Sequence, residues 1–140
     1  MKGVEQKVPA KNLPMPPLLH KRFNEHQKQA IERCLRPGKQ IVSLIQGPPG
    51  TGKTSTILGI IGSILFGAQR GGSERGTRKR ILLCAASNKA VDEVASRLQK
   101  GLWDPFRDRK GEVQAVRIGR LEAMSDNVKP MSLELLAKSR

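Results

Sequence analysis

Tyrosine is absent from this sequence, and Phe23, Phe66, Phe106 and Trp103 are its only aromatic residues. A platform that stacks bases on aromatic rings is therefore not expected. Cysteine is scarce as well. Cys34 and Cys84 lie far apart, no CxxC pair occurs, and His20 and His26 are the only histidines. That set excludes a zinc site, and nothing points to the secretory route on which a structural disulfide depends. Long apolar runs are missing too. The opening MKGVEQKVPAKNLPMPPLL has no signal-peptide core, and the most apolar segment, Ile57 to Phe66, is interrupted by Gly59, Gly62 and Ser63. It is too short to cross a bilayer. The expectation is a soluble, intracellular chain with no membrane partner. Acidic residues are the last shortage: 12 Asp and Glu stand against 26 Lys and Arg, a formal charge of +14. Such an excess favours a polyanion, nucleic acid above all.

What is present suits one small globular unit. The chain has 140 residues, 37% of them hydrophobic, enough to bury a core. Residues 1–21, with Pro9, Pro14, Pro16 and Pro17 among scattered lysines, read as an extended tail. Order is expected from residue 22. Asn24 is placed to cap a helix, and Gln27 three residues on resembles a capping box. Ala30, Ile31, Cys34 and Leu35 give that helix one apolar face, and Pro37-Gly38 stops it. Gln40 to Gln46 reads as a buried strand. A helix from Lys53 to Phe66 follows, with Ile57, Ile60, Ile61, Ile64 and Leu65 as its buried stripe. Residues 67–80 read as a flexible basic loop.

Ile81 to Ala85 reads as a second strand, then a helix over 89–100 with Ala90, Val91, Val94, Ala95 and Leu98 inward. Residues 101–112 read as a polar loop, Val113 to Ile118 as a third strand ended by Gly119, and Met131 to Ser139 as a last helix entered through Pro130. Alternating helices and strands predict an α/β fold: a parallel sheet with flanking helices and right-handed crossovers.

Between the first strand and second helix stands Gly47-Pro48-Pro49-Gly50-Thr51-Gly52-Lys53-Thr54, which matches GxxxxGK[ST]. Glycines let the backbone curl until successive N–H groups face one anion. The helix that follows presents a partly positive N-terminus. Lys53 is spaced to reach the β- and γ-phosphates of ATP, and the Thr54 hydroxyl to join Mg²⁺, which takes oxygen ligands and shares itself with phosphate. Ser55 is either one more phosphate contact or a first-turn hydroxyl. Gln27 has two readings: its amide caps Asn24, or it presents a donor and an acceptor to an adenine edge. Ser87 and Asn88, at the end of the second strand, are either phosphate holders or an ordinary helix cap.

Hydrolysis in a P-loop enzyme also needs acids at the end of another apolar strand. Asp92-Glu93 is the only adjacent Asp-Glu pair. It falls mid-helix and reads as a solvated face. Asp104, Asp108 and Glu112 lie in the polar loop, and nothing in the sequence positions Arg117 or Arg120.

Three stretches carry a resemblance. They are Phe23-Asn-Glu-His-Gln27, Ser43-Leu-Ile-Gln-Gly-Pro-Pro-Gly-Thr-Gly-Lys-Thr54 and Cys84-Ala-Ala-Ser-Asn-Lys-Ala-Val-Asp-Glu-Val94. Together they resemble superfamily 1 helicases, in the branch that holds senataxin and the nonsense-mediated-decay helicase. Val116-Arg-Ile-Gly-Arg120 and the following SDNVKPMSLELLAKS are similar to the senataxin side. The likeness runs over residues 22–140 and implies the N-terminal portion of a RecA-like first motor domain. It makes Gln27 an adenine reader, residues 47–54 the ATP phosphate cradle, and Ser87-Asn88 part of a motif facing single-stranded RNA or DNA. It further implies ATP-driven 5′-to-3′ unwinding and residence in the nucleus.

Ala86 stands where proline is common in the family. The family's acid pair and second motor domain have no counterpart in these residues. The expectation is an ATP-binding fragment with open sheet edges, marginal stability and no hydrolysis of its own. Two other readings fit parts of the chain. One is a basic nucleic-acid-binding module with vestigial or regulatory ATP binding. The other is a fragment of an AAA+-type ATPase.

Overall fold

Leu19, Ile31 and Leu35 meet in one of the small apolar clusters among the described residues, joined by Phe23, Ile60, Ile64 and Trp103. These contacts bring together elements that local chemistry has already shaped. The computed structural model describes residues 15–36, 42–68 and 79–139. Helix α1 spans Glu25–Leu35 and starts in a complete capping box: Asn24 accepts from the Gln27 N–H while Gln27 accepts from the Asn24 N–H. Its stop lies at Arg36; Pro37 and Gly38 fall outside the described residues. Helix α2 spans Lys53–Ala68, two residues beyond its expected end.

Small residues let neighbours reach α2. A Cβ on Gly59 would lie 2.6 Å from the Phe23 ring and 2.8 Å from the Ile31 side chain. One on Gly62 would lie 3.0 Å from the Trp103 carbonyl oxygen. Tertiary packing thus holds a helix that is poor in intrinsic propensity. Ile57, expected in its buried stripe, is exposed instead.

Helix α3 spans Asn88–Gln99, capped by the Ser87 hydroxyl, which accepts from the Ala90 N–H. Strands β1, Leu102–Asp104, and β2, Arg109–Gly111, form an antiparallel hairpin. This corrects the polar loop expected there. Asp104 is buried and its carboxylate accepts from the Phe106 N–H, while Asp108 turns the chain with φ 54. The helix α4 spans Leu133–Lys138, capped by Ser132 and preceded by a short 3-10 turn holding Pro130.

Part of the stretch expected as an extended tail, residues 1–21, is folded into the core. Residues 1–14 lie outside the described residues, but Leu19–Lys21 forms a 3-10 turn whose leucine is 1% exposed. A leucine that deep belongs to the core.

The expected parallel sheet is not formed among the described residues. Residues 42–46, 81–85 and 113–118 make no ladder with one another; the strands found among the described residues are those of the hairpin. The nearest approach to a parallel pairing is one bridge, Arg117 to Ser132. The physical reason is that a strand is stabilised by its neighbours' N–H and C=O groups, not by its own pattern. Residues 111–118 still alternate strictly between inner and outer positions. Leu83 and Val113 pack on the cluster of Ile61, Phe66 and Leu102, and Ala115 on that of Ala95, Val128 and Met131. The other faces are open: Leu82 is 83% and Leu44 92% exposed. An open cleft of about 1140 Å³ runs between the 79–85 and 112–118 segments, with α2 and α3 along its inner wall.

Candidate functional site

The phosphate-loop motif closes on itself where the 42–46 segment turns into α2. Gly50 and Gly52 have φ of 77 and 80, backbone that a side chain would strain. At Gly52 the space is also taken: a Cβ there would lie 2.6 Å from Gln27 Nε2. Lys53 Nζ donates to the Gly47 and Pro48 carbonyls, each at 2.7 Å, and the Thr51 hydroxyl donates to the Pro48 carbonyl at 2.8 Å. The ammonium is thus folded over the mouth of the loop. The first α2 bond runs from the Thr56 N–H to the Gly52 carbonyl. The N–H groups of Lys53, Thr54 and Ser55 therefore stand without intrahelical acceptors and can take an anion. Thr54 is half-buried and Ser55 exposed in that first turn.

This donor set fits a triphosphate tail. It comprises two left-handed glycines, an open helix N-terminus and a cation on a mobile stem, while Pro48 and Pro49 stiffen the rim. It fits Mg²⁺ only in partnership. Among the described residues no group of three or more His, Cys, Asp or Glu could hold a metal. A cation beside Thr54 would take most of its ligands from phosphate and water.

Gln27 satisfies both local demands at once. Its Oε1 accepts from the Asn24 N–H at 3.1 Å, and its Nε2 donates to the Thr51 carbonyl at 3.2 Å. The side chain that caps α1 thereby touches the phosphate loop. A cavity of about 310 Å³ lies between them, lined by Asn24, His26, Gln27, Ile45, Gly47 and Lys53. That volume is at the small end of the range for small-molecule sites. The 1140 Å³ cleft is larger but lies elsewhere, away from the loop's glycines and lysine.

Ser87 and Asn88 lie at the start of α3, and both are exposed. Ser87 is a helix cap. Asn88 sits four residues before Asp92, on the same helix face. Asp92 was expected on a solvated face; it is 4% exposed and ion-paired. Its Oδ1 accepts from Arg117 Nε at 2.9 Å, and its Oδ2 from the N–H and hydroxyl of Ser125 at 2.8 and 3.0 Å. Burial alone would raise this carboxyl's pKa; the Ser125 N–H, Arg117 and the Ser125 hydroxyl together hold it below the ordinary value. Only Glu93 is solvated, paired with Arg97 at 2.8 Å.

Arg117 is therefore positioned after all, and by residues far from it in sequence. The signal that could have found it was the i, i+4 spacing of Asn88 and Asp92 on one face. No local pattern marks their partner.

A family model described as an AAA domain matches residues 22–140. The helicase SEN1 of Saccharomyces cerevisiae is 38% identical over 134 residues, covering 85% of this chain and 6% of its own. The probable helicase senataxin of Homo sapiens is 36% identical over 129 residues, covering 80% of this chain and 5% of its own. The DNA polymerase alpha-associated DNA helicase A of Schizosaccharomyces pombe is 32% identical over 120 residues, covering 86% and 15%. The chain thus spans a small part of the length of these relatives.

Proposed function

The chain belongs to the senataxin-type branch of the superfamily 1 helicases, and from that premise we propose that it supplies the phosphate-loop half of an ATP-driven motor acting on single-stranded RNA or DNA. The observation that carries the proposal is the loop itself. Lys53 Nζ rests 2.7 Å from two loop carbonyls, at the open N-terminus of a 16-residue helix. An ammonium held by neutral carbonyls exchanges them for phosphate oxygens because an anionic acceptor adds charge–charge attraction that a carbonyl lacks. Gly50, Thr51 and Gly52 would wrap the tail with backbone N–H groups, Pro48 and Pro49 having none to give. Lys53 would neutralise its end, and Thr54 would orient Mg²⁺. Gln27 would read the adenine from the adjoining 310 Å³ cavity.

Ser87 and Asn88 would meet the strand. A second motor domain would close with this one over the strand on nucleotide binding and reopen on hydrolysis, moving 5′ to 3′. Residence in the nucleus belongs to the same proposal. A sheet of RecA type is the arrangement in which residues 42–46, 81–85 and 113–118 would find partners. Steady-state hydrolysis is not expected from these residues alone, since no acid pair follows an apolar strand.

Titration calorimetry with Mg·ATP tests the reading. The full chain should bind, and Lys53→Ala should weaken binding about 10- to 100-fold, the worth of one charge-assisted interaction. No uptake by the wild type overturns the proposal. Strand binding that depends on salt but ignores both ATP and Lys53→Ala would instead favour a basic nucleic-acid module.

A further inference from the structure

Asn88 carries an amide whose two ends differ: the oxygen only accepts and the nitrogen only donates. Arg117 Nη2 lies 2.9 Å from the Asn88 Oδ1. A guanidinium is donor-only, so the pairing is possible in one orientation of the amide: oxygen towards Arg117 and nitrogen away from it. Asn88 is exposed, and its Nδ2 has no protein acceptor among the described residues.

Arg117 is itself fixed on every side. Its backbone N–H donates to the Met131 carbonyl at 2.8 Å and its carbonyl accepts from the Leu133 N–H at 3.0 Å. Its Nε is held by Asp92 at 2.9 Å, and its Nη1 donates to the Ile118 carbonyl. Gly119, with φ 150, makes the room: a Cβ there would lie 2.9 Å from Arg117 Nη1. The side chain is 6% exposed as part of its residue and cannot itself reach a ligand in bulk solvent.

We propose that Arg117 is a positioning residue that locks the Asn88 amide so that its N–H₂ group faces outward, as a fixed donor to a phosphodiester oxygen of a bound single strand. The inference rests on the reading that the start of α3 meets nucleic acid. Its chemistry is simple. A free asparagine amide flips between donor and acceptor faces, and only the donor face suits a phosphate. The buried guanidinium removes the wrong face. Asp92 and Ser125 act one step further back, by holding the guanidinium.

Fluorescence anisotropy with a labelled single-stranded oligonucleotide at fixed salt tests this on the full chain. Arg117→Lys keeps a charge for Asp92 but lacks the planar fork that reaches Asn88 as well. Asn88→Ala should weaken affinity roughly tenfold, and Arg117→Lys by a similar factor. In the Asn88→Ala background, Arg117→Lys should add less than about twofold, because the residue it acts through is gone. Gly119→Ala displaces the same guanidinium from the other side and should follow the same rule, so the test survives a poorly folding Arg117→Lys. In the wild type, the Asn88 side-chain amide resonances should move on adding the oligonucleotide. If Arg117→Lys costs as much with Asn88→Ala as without it, or costs nothing alone, the inference fails while the placement of the strand stands. If Asn88→Ala is silent and its amide resonances do not move, the placement fails and the inference with it.

Discussion

Lys53 and Gly52 are neighbours in the loop but serve different physics. The ammonium of Lys53 contributes charge and adapts; Gly52 contributes a backbone shape. Gly52→Ala should therefore damage the site without removing any donor. The new Cβ sits in left-handed backbone, at a cost of about 1–2 kcal/mol, and 2.6 Å from Gln27 Nε2. Calorimetry should show Mg·ATP affinity reduced at least tenfold, and retention of wild-type affinity would show that the loop relaxes freely.

Asp92 behaves in the opposite manner, as a stability residue. Its pKa is lowered in the folded chain, burial being outweighed by Ser125 and Arg117. A lowered carboxyl stabilises the fold above its unfolded value of about 3.9, and that stability is lost as pH falls through the folded value. Chemical unfolding should thus be flat from about pH 7 to 5 and weaken below about pH 4. Asp92→Asn should blunt that acid decline. An unchanged acid profile in Asp92→Asn would assign the decline to other carboxylates. Sequence reading singled out residues 47–54 because a GxxxxGK[ST] motif is local and consecutive. It missed Asp92 because a mid-helix acid looks solvated until its partner, 25 residues later, is folded against it.

Among the elements, α1 and α2 were legible for the same reason that they are testable: their signals are local. The Asn24–Gln27 box and the Ser87 cap formed where the pattern put them, whereas Pro130 opens a 3-10 turn and the last helix starts later, at Leu133 behind Ser132. Contacts between elements follow from small residues, and Gly59 is the sharpest case. Replacing it by alanine raises helix propensity by about 1 kcal/mol but drives a methyl into Phe23 and the fully buried Ile31. Overpacking a filled core costs about 1–3 kcal/mol, so Gly59→Ala should be neutral to destabilising by about 2 kcal/mol at most. A lower denaturation midpoint with unchanged slope is the expected result. A higher midpoint would mean that α1 can slide. The hairpin at 102–111 was hidden because turn residues such as Asp104, Pro105 and Asp108 outnumber its apolar ones. The strands over 42–46, 81–85 and 113–118 were anticipated from pattern alone, and pattern does not supply hydrogen-bond partners. Their alternation is present at 111–118 without a ladder to express it.

At the scale of the whole molecule two surfaces pull in opposite directions. The chain carries +14 formal charge, which makes copies repel one another and attracts a polyanion. It also exposes apolar side chains on segments without ladder partners: Val42 79%, Leu44 92%, Leu82 83% and Ile118 66%. Such edges associate when nothing keeps them apart. Salt decides between these forces, since the screening length falls from about 10 Å at 0.1 M to about 3 Å at 1 M. Raising salt should weaken binding to a single strand, because counterions released into a saltier solution gain less entropy. The same change should strengthen self-association, because the mutual repulsion is screened while apolar burial is not. Sedimentation of the full chain should show mass rising between about 0.05 and 0.5 M salt, with the fluorescence of a hydrophobic dye highest where the chain is still dispersed. An oligonucleotide that neutralises the basic surface at low salt should promote association in the same way. A monomer at every salt concentration, dark to the dye, would mean that the three open segments are covered by their own chain in solution.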